Sequence, residues 1–397
     1  MKIKRFTADF ETCVWDPKET WVWAYAFCEI ENEENITVGN SIDEFMEHCK
    51  NEKNSIFYFH NEKFDGEFII YWLLTHGFKH VTKKEDIENN TFTTLITDMG
   101  VFYEITVYFS KGNKKVHKVT FIDSLKIIPM SVEDISNAFG LEEQKLKIDY
   151  KMPRPKGWIL TPEEIEYIKH DVIIVAKALK VLFEEKLDRM TQGSNALMDF
   201  KNTINKYRFM HYFPELDYNI DKDMRACYKG GFTYVNPYYK NKEVGSGVVL
   251  DVNSLYPSVM YEKFLPFGDP IFFEGQYKDD NIYDLYIQRI TCSFEIKKNK
   301  IPCIQIKNSR LFTDNEYLTS SNNEIVALTL TNVDLKLFLE QYDVKELKYI
   351  SGWKFKSIQG LFCNYIDKWM TRKIEAGKNH NNGQRTMAKL MLNSLYR

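Results

Sequence analysis

Two rhythms of apolar and polar residues take turns along residues 1–190. Alternating or unbroken runs of β-branched and aromatic residues predict strands over IKRFTADF (3–10), WVWAYAFCEI (21–30), SIFYFH (55–60), TFTTLIT (91–97), VFYEITVYF (101–109) and KVTFIDS (118–124). Between and after them the period lengthens to that of a helix, in SIDEFMEHC (41–49), KFDGEFIIYWLLTHG (63–77), SVEDISNAFG (131–140) and TPEEIEYIKHDVIIVAKALKVLFEEKL (161–187). Ser131 and Asp134 start the third of these and Gly140 stops it. The fourth opens with Thr161 as N-cap, Pro162 in the first turn and Glu164 completing a capping box.

After MTQGSNAL the pattern breaks into short turn-bounded pieces, YKGGFTYVNP (228–237) and GVVLDVNSLYPSVMY (247–261). The second reads as an apolar strand that delivers Asp251 at its end. A β-rich, partly helical stretch continues to about residue 360, and two helices follow, LFCNYIDKWMTRKIEA (361–376) and QRTMAKLMLNSLY (384–396), joined by the loop GKNHNNG. In the last helix Arg385, Lys389 and Asn393 share one face, with Tyr396 near it, while Met387, Leu390, Met391 and Leu395 form an apolar stripe. There are no internal repeats and no low-complexity segment.

Composition narrows the class. At 397 residues, 44% hydrophobic and 27% charged, the chain has room for two or three domains with their own cores. The longest uninterrupted apolar run, FIIYWLL (68–74), is too short to span a bilayer, and the opening MKIKRFTADFE meets a carboxylate before a signal-peptide core could form. A cytoplasmic location and no membrane partner are the expectation. The seven cysteines are odd in number and never spaced as CxxC, so reduced thiols are expected rather than disulfides or a zinc site. A net charge of −3 gives no bulk signal for nucleic acid, but residues 371–397 hold six Lys or Arg against Glu375. Residues 145–156 likewise hold Lys145, Lys147, Lys151, Arg154 and Lys156 against Asp149. Such patches suit phosphates, and equally a solvated basic face.

Three short elements carry candidate chemistry. Phosphodiester hydrolysis needs a hydroxide nucleophile and a stabilised leaving oxygen, which two divalent cations held by carboxylates supply. Asp9 and Glu11 lie two apart on a strand and so face the same side. In YFHNEKFDGEFI a strand runs through a polar turn into a helix that presents Asn61 and Asp65, residues that equally serve as helix caps. In YIKHD, Tyr167 and Asp171 sit one helical turn apart on one face.

Taken in order along an α/β domain, DxE, NxxxD and YxxxD resemble the three-motif pattern of the proofreading 3′→5′ exonucleases, with their four acidic residues and a tyrosine. The resemblance implies that Asp9, Glu11, Asp65 and Asp171 hold or position Mg²⁺ or Mn²⁺, that Tyr167 orients the attacking water, and that Thr12, Asn61 and Phe64 meet single-stranded DNA. In KLKIDY, Lys145 and Tyr150 match a motif of one polymerase branch that assists hydrolysis, with Lys147 where some relatives carry an acid. Farther on, DxxSLYPS resembles motif A of the family B DNA polymerases, implying a metal site at Asp251 and the Val252 carbonyl and a sugar platform at Tyr256. KLMLNSLY resembles motif B, implying that Lys389, with Lys373 on the preceding helix, grips the incoming dNTP, and that Asn393 and Tyr396 lie at the nucleotide. IPCIQIKNSR, NEYLTSSNNEI and LKYISGWKFKS resemble the insertion of the protein-primed bacteriophage branch. YKGGFTYVNP resembles its YxGG linker, with Tyr228, Gly230 and Gly231 on the template strand. MTQGS resembles a primer contact through Gly193 and Ser194, and reads as readily as a plain interdomain linker.

The fold this implies is a mixed α/β multidomain one. It has an RNase H-like 3′→5′ exonuclease domain (1–190), a palm portion (191–262), the insertion (263–360) and a fingers portion (361–397). The implied function is viral, protein-primed DNA polymerase with proofreading, acting on primer-template and single-stranded DNA with dNTPs and a terminal priming protein. Arg397 stands where the family places a glycine after the motif B tyrosine, and no YxDTD motif C, second insertion or thumb is found. The expectation is therefore that this chain alone does not polymerise DNA and that its last helix frays with its apolar stripe partly exposed. A free-standing exonuclease and a non-catalytic DNA- or priming-protein-binding module are the alternatives.

Overall fold

The computed structural model describes the chain except residues 1–2, 17, 53, 112–113, 253, 306–316 and 397, together with the side chains of 110–116. It divides into two compact units, Met1–Phe200 with Tyr365–Arg397, and Lys201–Asn364.

The first unit alternates strands and helices as β1 (Lys4–Thr12), β2 (Val22–Glu29), β3 (Asn32–Gly39), α1 (Ile42–Asn51), β4 (Ser55–Phe59), α2 (Glu62–Thr75), β5 (Lys79–His80), β6 (Thr91–Ile96), β7 (Phe102–Lys111), β8 (Lys114–Asp123), α3 (Val132–Phe139), α4 (Pro162–Glu184) and α5 (Gln192–Ile204). The strands form one sheet in the order β3-β2-β1-β4-β8-β7-β6-β5. At its centre β1, β4 and β8 are parallel, while β2, β3, β7 and β6 join as antiparallel hairpins. α1 and α2 cover one face over a core of Phe6, Phe10, Phe45, Phe57, Phe59, Ile69, Leu73, Phe109 and Phe121. That core is held by aromatic edge contacts such as Phe10 on Phe45 at 4.9 Å. α2 approaches β7 so closely that a Cβ at Gly66 would lie 3.1 Å from Ile105 and 3.2 Å from Phe102, which explains a glycine inside a helix.

The caps follow local chemistry. Ser131 accepts from Asp134 N, and Gly140 closes α3 in the left-handed region at φ 66°. Thr161 and Glu164 form the reciprocal capping box of α4. β3 was not foreseen, because its run NEENITVG is largely polar and lies at the sheet edge.

The second unit carries α6 (Lys206–Tyr212), α7 (Tyr218–Cys227), α8 (Leu255–Glu262), β9 (Leu265–Glu274), β10 (Leu285–Ile296), β11 (Ile304–Gln305), β12 (Tyr317–Leu318), β13 (Val326–Thr331), α9 (Asn332–Gln341) and β14 (Tyr342–Ile358). Its main sheet is antiparallel in the order β13-β10-β14-β9, with Phe294, Phe338 and Tyr342 at the centre of the core. Residues 306–310 of IPCIQIKNSR lie outside the described residues. The strand expected over residues 247–251 is absent among the described residues, and Val248, Val249 and Leu250 are exposed. No described strand pairs with that run, and a strand exists only through its neighbour's hydrogen bonds.

The chain returns to the first unit through α10 (Cys363–Lys378), followed by α11 (Asn382–Ser394). The expectation of a frayed last helix with an open stripe is overturned: Met387, Leu390 and Met391 are buried and Leu395 half-buried, with α11 packed on α3 and α4. Thr386 Oγ1 donates to Ala138 O at 2.7 Å, and Tyr365 of α10 donates its hydroxyl to Met391 O at 2.8 Å. The stripe is covered by the first unit itself, a partner that a helix-by-helix reading of the sequence does not see.

Candidate metal centre

Pairing between β1 and β4 stops at Ala8 and Phe59, and β8 ends beside it at Asp123. Asp9 and Glu11 thus lie just beyond the carboxyl ends of the parallel strands, where an open α/β sheet leaves a crevice. Alternation along β1 sends Phe6, Ala8 and Phe10 into the core under α1 and α2. Thr7, Asp9 and Glu11 turn to the opposite face beneath α4, where Thr7 Oγ1 donates to Val172 O at 2.8 Å. α2 begins directly after β4 and holds Asp65 in its first turn. Tyr167 and Asp171 come from the buried face of α4. One carboxylate oxygen each from Asp9, Glu11 and Asp171 lies within 4.8 Å of the other two.

The electrostatics of this cluster are those of carboxylates short of a counter-charge. Burial, followed by repulsion from Asp65, Glu11 and Asp171, holds Asp9 well above the usual carboxylate range against the pull of Lys145. Glu11 is pushed up to about 7 by burial and Asp171, with Lys145, a hydrogen bond from Tyr167 and Arg154 opposing. Asp65 is raised by burial and Glu11, and Asp171 by burial against Lys145 and Tyr167. Asp65 and Asp171 each bury one oxygen, Oδ1, that has no hydrogen-bond partner. A converging oxygen set with orphaned acceptors and excess negative charge fits a hard divalent cation.

Around the cluster, Lys145 Nζ donates to Asp171 Oδ2 at 2.7 Å and lies 5.6 Å above the Tyr167 ring. Burial opposes the lysine's charge, but Asp171 and Asp9 outweigh it and keep the ammonium protonated. The Tyr150 and Tyr167 hydroxyls are 2.7 Å apart. Burial and the neighbouring Glu11 and Asp171 charges hold the Tyr167 hydroxyl protonated, so it acts as a donor and not as an anionic ligand.

The remaining candidates divide by unit. In the first, Thr12 is buried at a register shift at the end of β1. Asn61 stands exposed in the left-handed region at φ 78°, and its side chain makes no capping bond, so the helix-cap reading of Asn61 does not hold. Its backbone N–H donates to Asp123 Oδ1 at 3.0 Å. Phe64 and Tyr150 are exposed beside the cluster's elements. Gly193 and Ser194 sit in the first turn of α5, not in a linker, with Ser194 Oγ 2.8 Å from Thr191 Oγ1. Lys389 is exposed and Lys373, Asn393 and Tyr396 half-buried. In the second unit, Asp251, Val252 and Tyr256 are exposed around the start of α8, as are Tyr228, Gly230 and Gly231 after α7.

Two groups of this region escaped sequence reasoning. Glu62, one residue after Asn61, is fully buried, and both its carboxyl oxygens lack partners. Arg154 was counted in a basic patch suited to phosphates, yet it is buried and paired with Glu164 at 2.5 Å, while Lys145 of the same run is committed to Asp171. The capping-box carboxylate of Glu164 was the available signal, since a buried acid needs a cation close by.

Residues 46–156 and 151–396 match the family described as DNA polymerase type B, organellar and viral. The DNA polymerase of Bacillus phage M2 is 48% identical over 398 residues, covering 100% of this chain and 68% of that protein. That of Bacillus phage phi29 is 47% identical over 397 residues, covering 100% and 67%. The DNA polymerase of Streptococcus phage Cp-1 is 31% identical over 413 residues, covering 98% and 68%. Among solved structures, phi29 DNA polymerase in an orthorhombic crystal form aligns with a TM-score of 0.93 at 45% identity, covering 100% of this chain and 68% of that one. The same enzyme complexed with primer-template DNA aligns with a TM-score of 0.93 at 45% identity, covering 100% and 67%.

Proposed function

This chain belongs to the organellar and viral type B DNA polymerases, and from that premise we propose that its first unit is a metal-dependent 3′→5′ exonuclease serving protein-primed phage DNA synthesis. The observation that carries the reading is the convergence of Asp9, Glu11 and Asp171 within 4.8 Å at the carboxyl ends of parallel strands, with Tyr167 beside them. Mg²⁺ or Mn²⁺ bound there supplies a hydroxide nucleophile and stabilisation of the leaving oxygen. The chain's own groups do the rest. Asp9, Glu11 and Asp171 hold the ion, and Asp65 adds negative charge behind them. The neutral Tyr167 hydroxyl orients water, and Lys145 fixes Asp171 and brings positive charge to the scissile phosphate. Thr12, Asn61, Phe64 and Tyr150 receive the single strand, the exposed Phe64 offering a ring for a base to stack on.

For synthesis, Asp251 with the Val252 carbonyl is the proposed metal site for the triphosphate, and Tyr256 the platform under its sugar. Lys373 and Lys389 take the phosphates, and Asn393 and Tyr396 meet the nucleotide. Gly193 and Ser194 contact the primer, and Tyr228, Gly230 and Gly231 the template. Each assignment rests on its motif. The partners are primer-template and single-stranded DNA, dNTPs and a terminal priming protein, in the cytoplasm of the host cell. No described helix is long and apolar enough to cross a membrane.

The test is degradation of a 5′-labelled single strand by the full chain with Mg²⁺ or Mn²⁺. Shortening from the 3′ end that Asp171→Ala reduces at least about a hundredfold is expected, because the cation loses a ligand. Equal rates in parent and variant reject the reading.

A further inference from the structure

Arg154 makes more directed contacts than a structural ion pair needs. Its Nε donates to Glu164 Oε1 at 2.5 Å, and its guanidinium lies 4.3 Å over the Trp23 ring. Nη1 donates to Asp149 O at 2.8 Å and to Met152 O at 3.2 Å. Asp149 O belongs to the peptide that links Asp149 to Tyr150. The backbone of Arg154 is tied in turn, since Trp21 Nε1 donates to its carbonyl at 3.0 Å. Glu164 is fixed at the start of α4 by Thr161 N and Trp158 Nε1, both at 2.9 Å from Oε2. The guanidinium fork, planar and with several donors, can hold these directions at once where a lysine cannot.

The elements joined are informative. One end of the clamp is the first turn of α4, and Tyr167 lies one turn farther along the same helix as Glu164. The other end is residues 149–152, a segment without helix or strand that carries Tyr150. The two tyrosine hydroxyls meet at 2.7 Å beside Glu11 and Asp171. Residues 141–160 have no ladder hydrogen bonds of their own to set the position of Tyr150.

We propose that Arg154 is a positioning residue of the exonuclease site: by clamping the peptide before Tyr150 to the start of α4 and to Trp23, it places the Tyr150 hydroxyl on that of Tyr167. Tyr150 in turn fixes the direction in which Tyr167 presents its proton to the carboxylates and to water. The hydrogen bonds of Arg154 go to Glu164, Asp149 O and Met152 O and not to the carboxylate cluster, on which it acts only through its charge at Glu11. This rests on the exonuclease reading above. It goes beyond that reading by adding a buried arginine to a constellation otherwise made of acids, a lysine and tyrosines.

The experiment is single-turnover degradation of a 5′-labelled single strand by the full chain, comparing Arg154→Gln, Tyr150→Phe and the double variant. Arg154→Gln should slow cleavage roughly tenfold to a hundredfold, the scale of a small misplacement at a reacting centre, with oligonucleotide Kd changed less than about twofold. The double variant should be no slower than the slower single variant, because both changes remove the same contact. Multiplying effects, or an Arg154→Gln rate equal to the parent's, overturn the proposal. Should Arg154→Gln lose its fold, Glu164→Gln takes its place, since it weakens the same clamp while keeping side-chain shape, and the same non-additivity with Tyr150→Phe is required. Amide exchange gives a readout independent of catalysis: the variant should exchange faster at residues 146–152 and unchanged in β1 and β4. A parent chain without metal-dependent 3′→5′ cleavage would reject the exonuclease reading, and unchanged exchange at 146–152 would by itself reject the clamp.

Discussion

Glu62 is a carboxyl group in the first turn of α2 with no hydrogen-bond partner for either oxygen. Burial, then the charges of Asp123, Glu104 and Asp65, push it up to about 9, against Lys126, which is itself engaged by Asp123 at 3.3 Å. The folded protein therefore keeps Glu62 neutral at pH 7, whereas the unfolded chain ionises it near 4.5. Because the folded value is the higher one, stability is fullest below pH 4.5 with respect to this group. It falls as pH rises from there towards 9. Glu62→Gln, a neutral group of the same shape, should raise Tm at pH 8 by several degrees, at roughly 2–4 °C per kcal/mol, and leave it nearly unchanged at pH 5. A Tm gain equal at both values in thermal melts would show that titration is not the cause. Such a residue is not legible in the sequence: Glu62 reads as an ordinary acid at a helix start, favoured by the helix dipole, and its cost comes from burial and then from acids at the end of β8 and on β7 that only the folded sheet brings near. Strand period set Asp9 and Glu11 on one face and helix period set Tyr167 and Asp171 on another, while the meeting of the two pairs was implied only by the resemblance of the motif order.

At the scale of elements, α11 has an exposed side and a buried side. Lys389 is exposed, whereas Met391 is buried between Gln192 of α5 and the Tyr365 hydroxyl bond of α10. Met391→Ala should lower stability by about 2–5 kcal/mol through the cavity it opens. Lys389→Ala should leave stability within about 0.5 kcal/mol of the parent, as surface changes do. In a nucleotide-dependent extension assay supplied with a segment carrying motif C, Lys389→Ala should instead raise the KM for dNTP, since the charge-assisted phosphate contact proposed for it would be lost. Chemical denaturation of both variants beside dNTP titration checks the pair. Most strands and the helices α1 to α4 of the first unit were readable from periodicity and caps, whereas α5 was not, its start being read as a linker. The strand at 247–251 was misread because apolar character shows a wish to be covered and not what covers it. The fate of the α11 stripe was misread for the converse reason: its cover, α3 and α4, lies more than 200 residues earlier in the chain.

For the whole molecule, the first unit is discontinuous: residues 1–200 are completed by 365–397, with the second unit encoded between them. A fragment ending at residue 200 lacks the helices that cover Phe139 and supply Trp369 to Asp199, whose carboxylate accepts from Trp369 Nε1 at 2.8 Å. The fragment 1–200 should therefore melt well below the first unit of the full chain and bind a hydrophobic dye that the full chain excludes. Equal melting and no dye binding in the fragment would mean that α10 and α11 contribute nothing to that core. The same discontinuity sets an order of events during synthesis. Residues 365–397 leave the ribosome only after the 164 residues of 201–364 have been made. At typical elongation rates that takes roughly ten to thirty seconds. Through that interval the carboxylate sheet can pair its strands, but the flank formed by α3, α4 and α5 stays open, an apolar surface presented to the crowded interior of a cell. The nascent chain thus exposes this flank for a period set by the length of the inserted unit and not by the folding rate of the unit that waits.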